Sequence, residues 1–154
     1  MLRRKQSSET DPADWFFSAA DRLRVADWAW ERDGLTLTGV ELLQAAVERY
    51  LKGWLIARGW SLDRTHDLRK LISVAMTIDP AFNRFKSFAD ELTDDFFAQH
   101  YPGGDWTNVG QNYETLRKQA GEIVSLIEQS LPQFSKIPCE IIYEQNIIPF
   151  TAVI

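Results

Sequence analysis

Apolar residues recur every three to four positions in five segments of this 154-residue chain, and a glycine or proline follows each segment. That spacing places the apolar side chains on one face of a helix. Glycine and proline at the ends of such segments interrupt helices. No pair of strand-like segments joined by a turn signal occurs before residue 136. The sequence therefore predicts an all-α fold, an antiparallel four- or five-helix up-and-down bundle.

The composition along the chain predicts three parts. Residues 1–13 are polar and end in Asp11-Pro12, so we expect a flexible N-terminal arm. Residues 14–132 hold the helical segments and form the bundle. Residues 133–154 are apolar but contain Pro138 and Pro149, which work against a helix. We expect an extended C-terminal tail that packs either on its own bundle or on a neighbouring subunit.

The ends of the helices are predicted from capping residues. Asp14 can cap the first helix, and Thr38 with Glu41 three residues later is typical of a capping box for the second. Gly59 is suited to end that second helix, because glycine adopts left-handed backbone angles without strain. Thr65 can cap the third helix. The last three helices are expected to span residues 65–76, 82–99 and 109–131.

The charge of the chain is unevenly distributed. The net charge is −5, which argues against a general nucleic-acid-binding protein. The segment from Arg49 to Lys70, however, contains six basic and two acidic residues, so it carries +4 and the remainder carries −9. Such a segment is either a basic face that meets phosphate or an ordinary solvated helix surface.

Several classes of protein are excluded by what the sequence lacks. No apolar stretch is long enough to span a membrane, and the basic first residues are followed by polar ones rather than by the apolar core of a signal peptide. Cys139 is the only cysteine, so no disulfide forms within the chain. We therefore expect a cytoplasmic protein. No phosphate loop, zinc quartet or other cofactor motif occurs, so neither a cofactor nor a metal is predicted.

Three motifs in order resemble HEPN domains. Residues 44–55 are similar to the family's second helix, which carries a glutamine, small residues, an acid followed by a base, and a lysine one turn later. Thr65-His66-Asp67-Leu68 resembles the start of the family's next helix, and Tyr101-Pro102 resembles the end of its fourth. The resemblance covers about residues 14–132. It implies a helical homodimer in a prokaryotic setting, often beside a minimal nucleotidyltransferase in a toxin–antitoxin pair.

Some members of that family are RNase toxins and others bind nucleotides, so the resemblance leaves the activity open. Its RNases carry an arginine, four to six residues, and then a histidine. The matching positions before His66 are residues 59–61, and those before His100 are residues 93–95; neither set contains arginine. We therefore expect no enzyme with the usual catalytic motif. His66 and His100 stay weak catalytic candidates, paired with Arg58 or Arg64 in a displaced site.

The expected function is a non-catalytic module that binds a nucleotide, an RNA phosphate or a nucleotidyltransferase partner. Its alternatives are an RNase with a non-standard Arg/His pair and a structural or regulatory dimer. In the second helix, the row Gln44, Glu48 and Lys52 is either a polar seam that fixes a dimer or grips a ligand, or a solvated row at i, i+4 spacing. His66 is also interpreted as a structural residue at a helix start. The predicted ligand-binding residues are Gln44, Lys52, Arg64, His66 and Arg69.

Overall fold

The computed structural model describes residues 8–99 and 107–134, and within those ranges every regular element is helical. The all-α bundle predicted from the sequence is therefore confirmed. Short 3-10 turns at Pro80–Phe85 and Pro132–Phe134 supplement five α-helices. The helices are α1 Pro12–Asp33, α2 Leu37–Ala57, α3 Leu68–Ile78, α4 Lys86–Gln99 and α5 Thr107–Ser130.

The first two helices form a tight antiparallel hairpin. Gly34 ends α1 with φ of 71°, a conformation that suits glycine. Near the other end of the pair, Gly53 packs so closely on α1 that an added Cβ would lie 2.8 Å from a ring carbon of Phe16. Glycine at position 53 thus lets the backbone of α2 approach α1 directly.

A single hydrophobic core joins all five helices. α2 is central, because it packs on α1, α3, α4 and α5. Trp54 of α2 is fully buried, lies 4.6 Å from the Phe82 ring between centroids, and donates a hydrogen bond from Nε1 to Ser130 Oγ at 2.7 Å. A large buried aromatic residue whose polar atom is satisfied stabilises the centre of the bundle.

The start of the fourth helix differs from the prediction. The sequence predicts an α-helix from residue 82, but Pro80–Phe85 is a 3-10 turn and the α-helix begins at Lys86. A 3-10 turn has three residues per turn, so Phe82 and Phe85 lie on the same side. Both are buried in the core. Burial of these two rings accounts for the tighter turn.

The predicted N-caps of α1 and α2 were wrong by two or three residues. Asp11, not Asp14, caps α1 and accepts a hydrogen bond from Ala13 N at 3.0 Å. Thr36, not Thr38, caps α2 and accepts from the N–H of Gly39 at 3.0 Å. The residues predicted as caps lie inside the first turn, so the capping box with Glu41 does not form. Local composition alone did not distinguish a cap from a nearby polar residue.

In the connection between α2 and α3, one prediction is confirmed and one is wrong. Gly59 has φ of 88° and follows the end of α2, as expected. Asp67 rather than Thr65 caps α3, with Oδ1 accepting from Arg69 N at 2.9 Å. Thr65 Oγ1 accepts instead from Asp67 N at 3.1 Å. The linker therefore has its own hydrogen bonds, which fix the chain just before α3.

Part of the sequence-based interpretation lies outside the described residues. This part comprises residues 1–7 of the expected arm, His100, the Tyr101-Pro102 motif, and residues 135–154 of the expected tail with Cys139. The last described residue, Phe134, packs on Phe16 of α1, with 5.2 Å between the ring centroids. Whether the tail packs on its own chain or on another stays a prediction.

Candidate functional site

A buried carboxylate on α2 is the centre of the most polar cluster in the described part of the chain. Glu48 accepts a hydrogen bond from Lys52 Nζ at 2.7 Å, and its side chain and that of Lys52 are 5% and 4% exposed. The ring Nδ1 of His66 lies 3.1 Å from Glu48 Oε2. Gln44 Nε2 is 3.4 Å from that same oxygen. A buried charge is tolerated only when paired and hydrogen-bonded, and these partners meet that need.

The Gln44 amide has one orientation compatible with its neighbours. Its Nε2 also donates to the backbone carbonyl of His66 at 3.0 Å. Both neighbours, the Glu48 carboxylate and the His66 carbonyl, accept hydrogen bonds, so the NH₂ group must face them. The Gln44 Oε1 therefore points away, and it is buried with no hydrogen-bond partner among the described residues. Gln44 thus fixes the linker backbone at His66.

Lys52 lies under an aromatic ring rather than at the surface. Its Nζ lies 5.7 Å from the centre of the Trp15 ring, a cation–π contact with α1. The Trp15 indole N–H in turn donates to the backbone carbonyl of Glu9 at 2.9 Å. Because Lys52 is buried and paired with Glu48, it balances that carboxylate and does not present a charge to solvent.

His66 is held at the rim of this cluster by residues from another element. It lies in the linker before α3, its side chain is 63% exposed, and Nδ1 faces the Glu48 carboxylate. An ionised carboxylate only accepts hydrogen bonds, so Nδ1 carries a proton. The other ring nitrogen then accepts in the neutral ring and donates in the charged ring. The contact with the Glu48 carboxylate fixes the orientation of the imidazole ring.

Sequence reasoning missed Glu48 as the carboxylate partner of His66. The two residues are 18 positions apart, and the pairing depends on how α3 folds back on α2. A usable signal was present, because Glu48 lies within the broad apolar stripe of α2 and a buried acid there requires partners from elsewhere. The polar row of α2 is therefore buried, so its interpretation as a solvated row is wrong.

The two arginines of the expected site are exposed and paired with acids. Arg64 binds Glu9 at 2.8 Å, while Arg69 binds Asp67 at 3.1 Å and Asp94 at 3.3 Å. Partial burial acts to raise the pKa of Asp67, but hydrogen bonds from Arg69 outweigh it and lower the pKa. Arg69 has a raised pKa, chiefly because it is hydrogen-bonded to Asp67. Lys52, Arg64 and Arg69 of this segment are thus each paired with an acid of the same chain.

The structure brings Gln44, Lys52 and His66 together around Glu48 and leaves the two arginines at the surface. Arg58, the other proposed catalytic arginine, stacks over the Trp54 ring at 5.0 Å. No group of three His, Cys, Asp or Glu residues with metal-binding geometry occurs in residues 8–99 and 107–134. Among the helices of those same ranges, none is both long and apolar enough to cross a bilayer. Binding of a ligand at the five predicted residues stays a prediction.

Comparison with known proteins identifies the family. The family model described as the HEPN domain matches residues 13–130. No curated protein and no solved structure shows a significant match to the chain. The matched region spans all five helices and contains Glu48, its partners on α2 and His66. The chain therefore belongs to the HEPN domain family.

Proposed function

We propose that this HEPN domain is a non-catalytic module that binds a phosphate-bearing ligand, a nucleotide or RNA, at the exposed face of His66. The observation that carries the proposal is the anchoring of His66 at two points. Glu48 holds the imidazole ring, and Gln44 holds the backbone carbonyl of the same residue. A ring fixed in advance loses little conformational entropy when it binds a ligand.

The exposed ion pairs beside His66 are compatible with anion binding. Each exposed pair contributes only about 0–1 kcal/mol to stability. Hydrogen bonds from arginine to phosphate are charge-assisted and frequently bidentate, and they are stronger than that. A phosphate group can therefore displace Glu9 from Arg64 or Asp94 from Arg69 at small cost. Lys52 has no such freedom, because its partner is buried with it.

Binding measurements on a panel of nucleotides and a short single-stranded RNA test this proposal. We expect His66→Ala to weaken binding by at least about tenfold, equivalent to roughly 1.4 kcal/mol. Arg69→Ala should weaken binding less, and the loss should shrink as salt is raised. Lys118→Ala on α5 is the matched control for removal of an exposed charge. Equal affinity of the unaltered chain and the His66 variant would contradict the proposal.

The second candidate function is RNA cleavage with a non-standard catalytic pair. One observation favours it: an exposed imidazole oriented by a carboxylate is a common arrangement for general acid–base catalysis. Such a group contributes about 10²–10⁴-fold to a rate. An assay on total RNA distinguishes the two functions. Cleavage that disappears in His66→Ala and falls in Glu48→Gln favours an RNase, whereas no cleavage above background favours the binding module.

We also propose that the protein forms a homodimer and pairs with a minimal nucleotidyltransferase in a prokaryotic toxin–antitoxin system. Family membership supports this, as do three exposed apolar side chains, Val25, Trp28 and Leu37, of which Trp28 is 58% exposed. Light scattering should give twice the 17.8 kDa chain mass, and Trp28→Ala should lower it. A single-chain mass at all micromolar concentrations would contradict the dimer.

A further inference from the structure

Two arginines from different helices of the α1–α2 hairpin lie near one serine. Arg22 on α1 donates from Nη1 to Ser18 Oγ at 2.7 Å and to Ser18 O at 3.1 Å. Arg49 on α2 donates from Nη1 to the Ala45 carbonyl at 3.1 Å. Ser18 and Arg49 line the same cavity, and Arg22 is hydrogen-bonded to Ser18 beside it.

Neither arginine has a carboxylate partner within the described part of the chain. The ion pairs there involve other cations, Arg24, Arg32, Lys52, Arg64, His66, Arg69 and Arg117. Burial lowers the pKa of Arg49, the charge of Arg22 lowers it further, and Glu48 acts in the opposite direction. Glu48 is already bonded to Lys52 and His66, so it does not neutralise the pair. Two partly buried like charges destabilise the fold unless an anion joins them.

The cavity beside these arginines has the size of a small anion site. Its volume is about 170 Å³. Pockets that enclose whole drug-sized ligands have roughly 300–1,000 Å³, so only one end of such a ligand fits here. The two acids at the cavity are engaged: Glu9 binds Arg64, and Asp14 accepts from the Ser8 N–H at 2.8 Å. The lining residues are Ser8, Glu9, Asp14, Trp15, Ser18 and Arg49.

We propose that Arg22, Arg49 and Ser18 form a second binding site, which takes the phosphoryl group of a nucleotide or of an RNA chain. The guanidinium groups supply charge-assisted, planar donors that match phosphate oxygens. The Ser18 hydroxyl accepts from Arg22, so its own proton is available to a phosphate oxygen. This site goes beyond the function proposed above, because its three binding residues do not belong to the His66 surface; Glu9 borders both.

Inorganic phosphate is the first probe, because it isolates the phosphoryl chemistry. We expect phosphate, compared with chloride at equal ionic strength, to raise the melting temperature of the unaltered chain by about 2–4 °C when it contributes roughly 1 kcal/mol. Arg22→Gln and Arg49→Gln should each reduce this shift. Both variants should fold at least as well as the unaltered chain without phosphate, because each removes one of two repelling charges. His66→Ala removes the contribution of the His66 surface, and the shift that remains should be lost when Arg49→Gln is added.

A matched control and a second probe complete the test. Arg32→Gln removes a charge from the same helix at an exposed position and should leave the phosphate shift unchanged. A mononucleotide that competes with phosphate identifies a nucleotide as the source, and competition by 5′-phosphorylated RNA alone identifies RNA. The inference is overturned if phosphate does not stabilise the unaltered chain, or if Arg32→Gln and Arg49→Gln lose the shift equally. A complete loss of the shift in His66→Ala alone would show one shared site, which would also overturn the inference.

Discussion

At the scale of single residues, the Glu48–Lys52 pair shows how a buried charge governs its surroundings. Removal of two charges from water costs several kcal/mol for each ion, and the attraction between them offsets that cost only with good geometry. The geometry here is good, because Lys52 donates to Glu48 at 2.7 Å and also makes a cation–π contact. Glu48 has two further hydrogen-bonding partners, Gln44 and His66. The pair therefore contributes more to holding His66 and Gln44 in one arrangement than to net stability.

Lys52→Met tests this interpretation. It leaves the Glu48 charge buried without its nearest partner, so we expect a loss of about 3–5 kcal/mol in the free energy of unfolding, measured with urea. Replacing both residues with methionine should cost less than the single change, because no uncompensated charge remains. As a control, Arg32→Met at an exposed pair should change stability by less than about 0.5 kcal/mol. A double variant less stable than the single one would contradict the argument.

Tyr113 gives a prediction for alkaline pH. Burial and the nearby Asp27 charge raise the pKa of its hydroxyl to about 12, while Arg117 acts to lower it. The folded chain thus keeps this proton up to about pH 12, whereas the unfolded chain loses it near the ordinary value of 10. Stability from this group is complete below pH 10 and falls between pH 10 and 12, since the unfolded state binds fewer protons there.

Tyr113→Phe should remove that alkaline loss. The hydroxyl is buried without a hydrogen-bond partner among the described residues, so its deletion removes no bond and we expect unchanged or higher stability at pH 7. Absorbance titration of the tyrosine hydroxyls should lose a transition near pH 12 in the same variant. A drop of more than about 1 kcal/mol at pH 7 would indicate that the hydroxyl is bonded after all.

At the scale of elements, α2 determines most of what the other helices do. It contacts every other helix, presents Gly53 for close approach of α1, and carries Gln44, Glu48 and Lys52 on its buried surface. Its first turn depends on Thr36, whose hydroxyl satisfies a backbone N–H that the helix itself leaves unpaired. Because α2 packs on every other helix, loss of the Thr36 cap should destabilise the whole bundle.

The two threonines at the start of α2 form a matched pair for a capping test. Thr36→Ala should lower the free energy of unfolding by about 0.5–2 kcal/mol, because it deletes the cap. Thr38→Ala, at an exposed position in the first turn, should change it by less than about 0.5 kcal/mol. Thermal or urea unfolding measures both. The reverse order of the two effects would restore Thr38 as the cap.

At the scale of the whole molecule, sequence periodicity predicted the architecture but not the charge pairing. The number and approximate positions of the helices follow from apolar spacing, which is a local property. The end of α2 at Gly59 follows from the ease with which glycine adopts positive φ. His66 and Arg64 pair with Glu48 and Glu9, which are 18 and 55 positions away, and Arg69 contacts Asp94, 25 positions away, besides its local partner Asp67. Such pairings depend on how helices pack, which no window of neighbouring residues encodes. The sequence therefore predicted a basic surface over residues 49–70, whereas Arg64 and Arg69 there are paired with acids from other segments of the chain.

One continuous core predicts one cooperative unfolding transition. The buried residues of all five helices belong to the same cluster. Tryptophan fluorescence, to which the buried Trp54 contributes together with the other five tryptophans, and far-ultraviolet circular dichroism should therefore give the same urea midpoint. Separate midpoints would show that part of the bundle, such as the α1–α2 hairpin, unfolds independently.

Glu9 lies before the region matched by the family model, yet its hydrogen bonds support residues of the candidate site. Its carbonyl holds the Trp15 indole above Lys52, and its carboxylate ties down Arg64 in the linker before α3. The family match starts at residue 13, so a chain cut at that boundary would keep every helix-forming stripe and lose both attachments. We expect such a shortened protein to fold but to leave Lys52 and Arg64 more accessible. Ligand binding by the shortened protein would then differ from that of the longer one.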